Sequence, residues 1–331
     1  MKIFLERLYR QEHLGREEAK ELLQAITAGQ FSEVQVASLL TVFRMRDITT
    51  DELLGFREAL LEQAVKVDFP GIEALDIVGT GGDGKDTFNI STCAAFVIAG
   101  AGQPVIKHGN HAASSVSGAS TVLESHGVRF TTDVEQLRRS VAESGFAYLH
   151  APLFHPALAT VAPLRRSIGV RTIFNLLGPL VNPARPAFQL LGVADLAQMR
   201  LYTIALQKLG VQFATVTSVD GYDEISLTSD FKVMSNHSEH IYRPVDLGLP
   251  LYEQSELYGG TTKEEAAMIF SAVLQGTATE AQRNVVLVNA ALGLQVARPA
   301  LSLSACFDLA RHALESGRAL QAFQRFVAIN Q

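Results

Sequence analysis

The chain has 331 residues, of which 47% are hydrophobic and 19% charged, with a formal net charge of −6. That length suits one large or two ordinary domains, and the apolar fraction supports a sizeable core, which excludes a disordered chain. The acidic balance counts against a nucleic-acid binder, which carries a basic excess, but not against a small anionic ligand, which feels only the local field.

The chain opens Met1-Lys-Ile-Phe-Leu-Glu-Arg, with an early acid and no long apolar stretch, so it does not read as a signal peptide. No uninterrupted apolar run reaches membrane-spanning length, and the cysteines, Cys93 and Cys306, are expected as buried free thiols. The expectation is a soluble cytoplasmic protein with neither a nucleic-acid nor a membrane partner.

Residues 1–68 read as helices only. Residues 17–27 are amphipathic and stop at Gly29, a residue suited to end a helix. Ser32-x-x-Gln35 and Thr49-x-x-Glu52 are capping boxes that open helices running toward Met45 and Val65. Phe69-Pro70-Gly71 then breaks the pattern. From residue 75 short β-branched runs at 75–78, 105–107, 128–130, 147–150, 189–193 and 213–218 alternate with helix-length stretches. That texture predicts a mainly parallel central sheet flanked by helices, with sites in the loops at the strands' carboxyl ends. After residue 257 helices are predicted at 263–274, 279–296 and 303–327. The fold class is therefore α/β: a small all-helical N-terminal domain, 1–68, followed by a larger α/β domain, 72–331. The segment 152–186 carries Pro152, Pro156, Pro163, Pro179, Pro183 and Pro186 with Arg165, Arg166, Arg171 and Arg185. It is a poor crossover helix, and part of 155–186 is expected to join the helical domain in space, as a crossing that carries basic groups into a cleft.

The chemistry concentrates in three stretches. The first is Asp76-Ile-Val-Gly79-Thr-Gly81-Gly82-Asp83-Gly84-Lys85-Asp86-Thr87-Phe88-Asn89-Ile90-Ser91-Thr92. Strand, glycine loop and helix N-terminus in succession hold a phosphate, because bare backbone comes close and N–H groups and the helix dipole favour an anion. Gly79-x-Gly81-x-x-Gly84 matches the dinucleotide pattern, and Gly79-x-x-x-x-Gly84-Lys85 matches all but the last position of a P-loop. Both familiar readings fail where they should be decided. A Rossmann loop wants an acid about 20 residues on, where Lys107-His108 stands, and a P-loop wants Ser or Thr after its lysine, where Asp86 stands. The second stretch, Lys107-His108-Gly109-Asn110-His111-Ala-Ala-Ser114-Ser115-Val-Ser117-Gly118, is again strand, Gly/Ser loop and helix, and suggests a second phosphate pocket beside the first. The third, Asp220-Gly-Tyr-Asp223-Glu224, follows the strand at 213–218 and places adjacent carboxylates on a loop, an ordinary way to hold Mg²⁺ beside phosphates.

Taken together, Gly79-Thr-Gly-Gly-Asp83-Gly, Asn89-Ile-Ser-Thr92, Lys107-His-Gly-Asn110, Ser114-Ser115, Asp223-Glu224 and the later Arg171-Thr-Ile-Phe-Asn175-Leu-Leu-Gly-Pro179-Leu-Val-Asn182-Pro183 closely resemble the anthranilate phosphoribosyltransferase family over nearly the whole chain. The resemblance implies transfer of a phosphoribosyl group from phosphoribosyl pyrophosphate (PRPP) to the amino group of anthranilate, in tryptophan biosynthesis, with magnesium and as a homodimer through the N-terminal helices. By the family's pattern Gly79, Gly82, Asp83, Thr87, Asn89, Ile90, Ser91, Thr92, Lys107, His108, Gly109, Asn110, His111, Ala112, Ala113, Ser114, Ser115 and Ala119 would bind PRPP. Ser91, Asp223 and Glu224 would hold Mg²⁺. Gly79, Asn110 and Arg165 would contact anthranilate, with His108 and His155 nearby. No residue is nominated as an essential general base, because the attacking aromatic amine is already neutral. The family commonly has Arg where His111 stands and often Lys where Val116 stands; both departures remove a fixed positive charge near the phosphates.

The bland alternatives remain beside this reading. Glycine loops often serve only tight turns, an Asp-Glu pair on a loop is usually just solvated, and His108 and His155 could be packing histidines. His237-x-x-His240 has no accompanying ligand cluster in the sequence. Leu39, Leu40, Val42 and Phe43 exceed what a small helical core needs, which fits a dimer face, or else packing onto the α/β domain. The competing functions are a pyrimidine nucleoside phosphorylase-like enzyme and a non-catalytic PRPP- or nucleotide-binding protein.

Overall fold

The chain opens with four helices, α1 (Lys2–Tyr9), α2 (Arg16–Thr27), α3 (Glu33–Met45) and α4 (Thr50–Glu62). Structure is described for residues 1–112 and 115–331, in a computed structural model. Both capping boxes form: the Gln35 N–H donates to Ser32 Oγ at 3.4 Å and the Glu52 N–H to Thr49 Oγ1 at 3.2 Å. Next come β1 (Leu75–Gly79), α5 (Ile90–Gly100), β2 (Val105–Gly109), α6 (Ala119–Ser125), α7 (Val134–Ser144) and β3 (Phe146–His150). Short helices α8 (Ala151–Phe154), α9 (Ala162–Ile168) and α10 (Ile173–Leu177) follow. The chain then forms β4 (Phe188–Gly192), α11 (Leu196–Leu209), β5 (Gln212–Ser218), β6 (Phe231–Ser235) and β7 (Glu239–Tyr242). It ends in α12 (Lys263–Gln275), α13 (Glu280–Ala297), α14 (Leu303–Glu315) and α15 (Arg318–Ile329).

These elements form two units. The helical unit is Met1–Val67 with Ala151–Arg185, and the α/β unit is Asp68–His150 with Pro186–Gln331. Inside the helical unit the returning segment is tied down by backbone: the Val65 N–H donates to Phe154 O at 2.9 Å, and Arg57 Nε to Leu180 O at 2.9 Å. Leu39, Leu40 and Phe43 are buried in the chain, so they do not form a free face; only Val42 of the four stays partly open.

The α/β unit is a seven-stranded sheet in the order β3-β2-β1-β4-β5-β6-β7. β3 to β5 are parallel in register (Leu75 opposite Phe188, Val105 opposite Phe146), and β6 and β7 turn antiparallel at one edge. Strand order reverses beside β1, which places the loops after β1 and its neighbours at a topological switch point. The core sits between the sheet and α5. That helix is apolar on every side because the sheet covers one face and α13 to α15 cover the others. Phe96 at its centre packs 4.3 Å from Phe146 and 5.0 Å from Phe323, ring to ring, and truncating it to alanine would cost about 3–5 kcal/mol.

The structure corrects two expectations and adds an element that none covered. Residues 128–130 are not a strand: the Val128 N–H closes the end of α6 on Leu123 O, and the Arg129 N–H goes to Asn330 O at 2.6 Å, so the C-terminus takes the bonds a ladder would need. The helix predicted over 303–327 is two helices, broken at Gly317, whose φ is +77°. The edge hairpin β6–β7, with its exposed Ile241, carries no strong apolar alternation and was not predicted.

Candidate active site

β1 runs into a loop whose backbone only glycine adopts readily. Gly81 and Gly82 follow each other at φ +73° and +68°. Gly79 matters for closeness rather than for φ, since a Cβ there would overlap the carboxylate of Asp223. Bare backbone at the end of β1 is what admits the loop after β5. Asp223 Oδ2 accepts the Gly81 N–H at 2.5 Å, and the Asp223 N–H approaches Asp83 Oδ2 at 3.5 Å. Glu224 Oε1 accepts the Ser91 N–H at 3.1 Å, in the first turn of α5. Ser218 Oγ donates to Glu224 O at 2.7 Å and fixes this turn from the end of β5. The free N–H groups expected at the start of α5 are thus partly taken: Glu224 holds one, and Asn89 Oδ1 caps another, from Thr92, at 2.9 Å.

Asp223 and Glu224 meet N–H donors, yet both are held above the ordinary carboxylate range. Desolvation is the largest cause for each, followed by a negative neighbour, Asp83 for Asp223 and Asp223 for Glu224. Lys107, only 2% exposed, lies beside them. Its Nζ donates to Ile77 O and, at 3.2 Å, to Ser91 Oγ. Burial lowers the Lys107 pKa, while Asp76, Glu224 and Asp223 work in the other direction. One buried ammonium faces several carboxylates, so the site is short of positive charge. A divalent cation would relieve it, and the hard oxygen donors of Asp223, Glu224 and Ser91 fit Mg²⁺. Among the described residues no group of three or more His, Cys, Asp or Glu gathers as a metal site by itself. That is the usual condition of a Mg²⁺ site, where water and substrate phosphate complete the shell.

The second loop leaves β2 at Gly109, where a Cβ would stand 2.5 Å from Tyr148 Oη. The His108 side chain is buried, and the backbone N–H of His108 donates to Asp76 Oδ1 at 3.4 Å. Asn110, His111 and Ala112 are exposed. His111 Nδ1 lies 3.1 Å from Thr121 Oγ1 and Nε2 lies 3.7 Å from Glu124. Ser115 Oγ meets Ser117 Oγ at 3.3 Å, and Ala119 begins α6. Ala113 and Ser114 lie outside the described residues. The third loop supplies the acids, and Lys85, on the first loop, sets its Nζ 4.7 Å over the Tyr222 ring.

Of the residues expected in the site, Gly82 is exposed, Gly79, Asp83, Thr87, Asn89 and Ser91 are partly exposed, and Ile90 and Thr92 are buried. The structure brings the loops after β1, β2 and β5 together. Arg165 and His155 belong to the helical unit. Arg165 lies in the last turn of α9 with its guanidinium 5.2 Å from the centre of the Phe174 ring, and burial lowers its pKa. His155 is buried and its Nε2 bonds Val181 O at 2.8 Å. Burial lowers the His155 pKa, with the carbonyls of Val181 and Leu60 opposing. That geometry fits a packing histidine. Gly192 escaped the sequence, and Ser117 stood in the second stretch without a role of its own. Gly192 ends β4 where a Cβ would overlap the Asp223 carbonyl, and Ser117 bonds both phosphate-type loops. The only signals were a glycine closing a strand and one more serine in a serine-rich loop.

Comparisons with known proteins bear on the whole chain. Residues 71–320 match the model of the glycosyl transferase family α/β domain, and residues 2–64 that of its helical bundle domain. The chain is 57% identical over 330 residues, covering 100% of both chains, to the anthranilate phosphoribosyltransferase of Phocaeicola vulgatus. It is 56% identical to that of Bacteroides thetaiotaomicron, over 100% of this chain and 99% of the other. Among solved structures it is similar to anthranilate phosphoribosyltransferase from Thermus thermophilus, with TM-score 0.92, 37% identity and 98% of each chain covered. It is also similar to the Saccharomyces cerevisiae enzyme in complex with PRPP and Mg, with TM-score 0.91 and 27% identity over 98% of this chain and 96% of the other.

Proposed function

Since the chain belongs to the anthranilate phosphoribosyltransferase family, we propose that it transfers the phosphoribosyl group of PRPP to the amino nitrogen of anthranilate, releasing pyrophosphate, in tryptophan biosynthesis. The observation that carries this for the chain's own residues is the meeting of the glycine loop and the start of α5 with the Asp223–Glu224 turn, an anion cradle next to a pair of acids that Lys107 only partly offsets.

In this reading the bond from the ribose C1 to the pyrophosphate oxygen breaks and a bond to the anthranilate nitrogen forms. The nitrogen attacks as a neutral amine and sheds its proton only afterwards, so no side chain must act as a base beforehand. Asp223, Glu224 and the Ser91 hydroxyl would hold Mg²⁺, which offsets the charge that develops on the departing pyrophosphate. Lys107 adds a buried positive charge fixed by Ile77 O and Ser91 Oγ. Gly79, Gly82, Asp83, Thr87, Asn89–Thr92 and the loop from Lys107 to Ser115 with Ala119 would grip PRPP. Positioning of this kind supplies on the order of 7–11 kcal/mol. Arg165 would pair with the anthranilate carboxylate through its planar fork, and Gly79 and Asn110 would also contact anthranilate.

The assembly in this reading is a homodimer through the N-terminal helices. Val34 and Met45 of α3 are its support: they are 76% and 81% exposed and lie eleven positions apart, about three turns, on one stripe of the helix.

The test is to mix the protein with PRPP, Mg²⁺ and anthranilate and follow anthranilate fluorescence. The expected result is a loss of signal that a chelator stops. No loss, or loss that a chelator leaves unchanged, overturns the reading.

A further inference from the structure

Ser117 lies at the base of the second loop and is 7% exposed. Its Oγ donates to the Thr87 carbonyl at 2.6 Å, and its own carbonyl accepts Asn89 Nδ2 at 2.7 Å. One residue of the second loop therefore holds both ends of the 87–89 turn of the first. The Asn89 amide is fully oriented by this arrangement, with its oxygen capping α5 at Thr92 and its nitrogen on Ser117. The same turn is strapped from its far side, where the Phe88 N–H donates to Leu257 O at 3.0 Å and the Gly259 N–H to Asp86 O at 2.9 Å. Beside Ser117, Gly118 has no room for a Cβ, which would overlap the Ala112 N–H. Gly118 and Ala112 thus lie close together at the base of the second loop.

We propose that Ser117 is a positioning residue that locks the 87–89 turn of the glycine loop after β1 to the base of the loop after β2, so that this turn is held ready for PRPP. The proposal rests on the PRPP reading above. Ser117 itself need not touch the substrate; it fixes the carbonyl of Thr87 and the amide of Asn89, two residues of the stretch read above as gripping PRPP. A hydrogen bond of this kind acts before chemistry, so its loss weakens PRPP binding and leaves the chemical step largely intact.

The experiment is calorimetric titration of wild type and Ser117→Ala with PRPP and Mg²⁺, together with steady-state kinetics. Ser117→Ala leaves the part-buried Thr87 carbonyl without its donor, so Kd and KM for PRPP rise roughly 5- to 30-fold while kcat stays within about threefold. If the alanine variant folds poorly, Ser117→Cys carries the same test, because its thiol fills the site and is a weaker donor. A variant that binds PRPP as tightly as wild type, or that loses kcat with KM unchanged, overturns the proposal alone. A wild-type protein that does not bind PRPP overturns the functional reading and this proposal with it.

Discussion

Asp223 Oδ2 accepts the backbone N–H of Gly81 at 2.5 Å, joining loops 142 positions apart in the chain. The bond exists only because Gly79 leaves the space. It brings a buried acid to the mouth of the phosphate loop, at an energetic cost that a bound cation would remove.

Asp223→Asn keeps an acceptor for the Gly81 N–H but removes the charge. A carboxylate whose folded pKa is raised contributes stability fully below its ordinary pKa and loses that contribution as pH rises through the raised value. The metal-free protein should therefore weaken as pH climbs above the ordinary carboxylate range, from Asp223 and Glu224 together. At pH 8 the variant should be more stable than wild type without Mg²⁺, by on the order of 1–2 kcal/mol in thermal unfolding. Its turnover should fall about tenfold or more, with excess Mg²⁺ restoring part. Unchanged turnover removes Asp223 from the site.

Gly79→Ala and Gly192→Ala press on the same residue differently. The first meets the Asp223 carboxylate, a side chain that can swing; the second meets the Asp223 carbonyl, which cannot move without the backbone. Gly79→Ala should fold with a loss of about 1–3 kcal/mol and lose Mg²⁺-dependent PRPP binding. Gly192→Ala should cost more in urea unfolding. If Gly192→Ala is the milder of the two, the geometry given for this turn is wrong.

His111 faces Thr121 and Glu124. A guanidinium there would restore a fixed positive charge to the loop. His111→Arg should tighten PRPP binding at low salt and steepen its dependence on ionic strength. Affinity unchanged across the salt series would show that position 111 does not reach the phosphates.

Arg165 should matter to one substrate only. Arg165→Ala should raise KM for anthranilate roughly 30-fold or more, the scale of a truncated charge pair. Arg165→Lys should recover little of this, because an ammonium does not reproduce the fork. PRPP affinity, measured by calorimetry, should be unaffected in both, and a shift there would relocate Arg165's role.

Sedimentation at micromolar concentration should give a dimer, and Met45→Glu should shift it toward monomer. A wild-type monomer would refute the proposed assembly.

Much of the fold was legible because the parallel strands are buried on both faces and read as short apolar runs; β1 to β5 lie within two residues of their predicted bounds at each end. Helix starts were legible because Ser32 and Thr49 announce them locally. What stayed hidden was set by partners far along the chain. Residues 128–130 look like a strand until Asn330 takes their N–H, and Gly192 looks like any strand end until Asp223 arrives above it. The acids of the third loop were visible as a pair, but not that burial and Asp83 would hold them protonated more readily than free carboxylates.

The helical unit is made from two stretches separated by the first three strands of the sheet. During synthesis its first 67 residues therefore leave the ribosome without the segment that completes them. Leu180 and Val181, which receive Arg57 and His155, come well over a hundred positions after Arg57 and about two dozen after His155. Assembly of that unit must wait until residue 185 has emerged, by which time β1 to β3 are already available to collapse. Chains arrested before that point should leave the N-terminal helices open to protease while those just beyond it protect them.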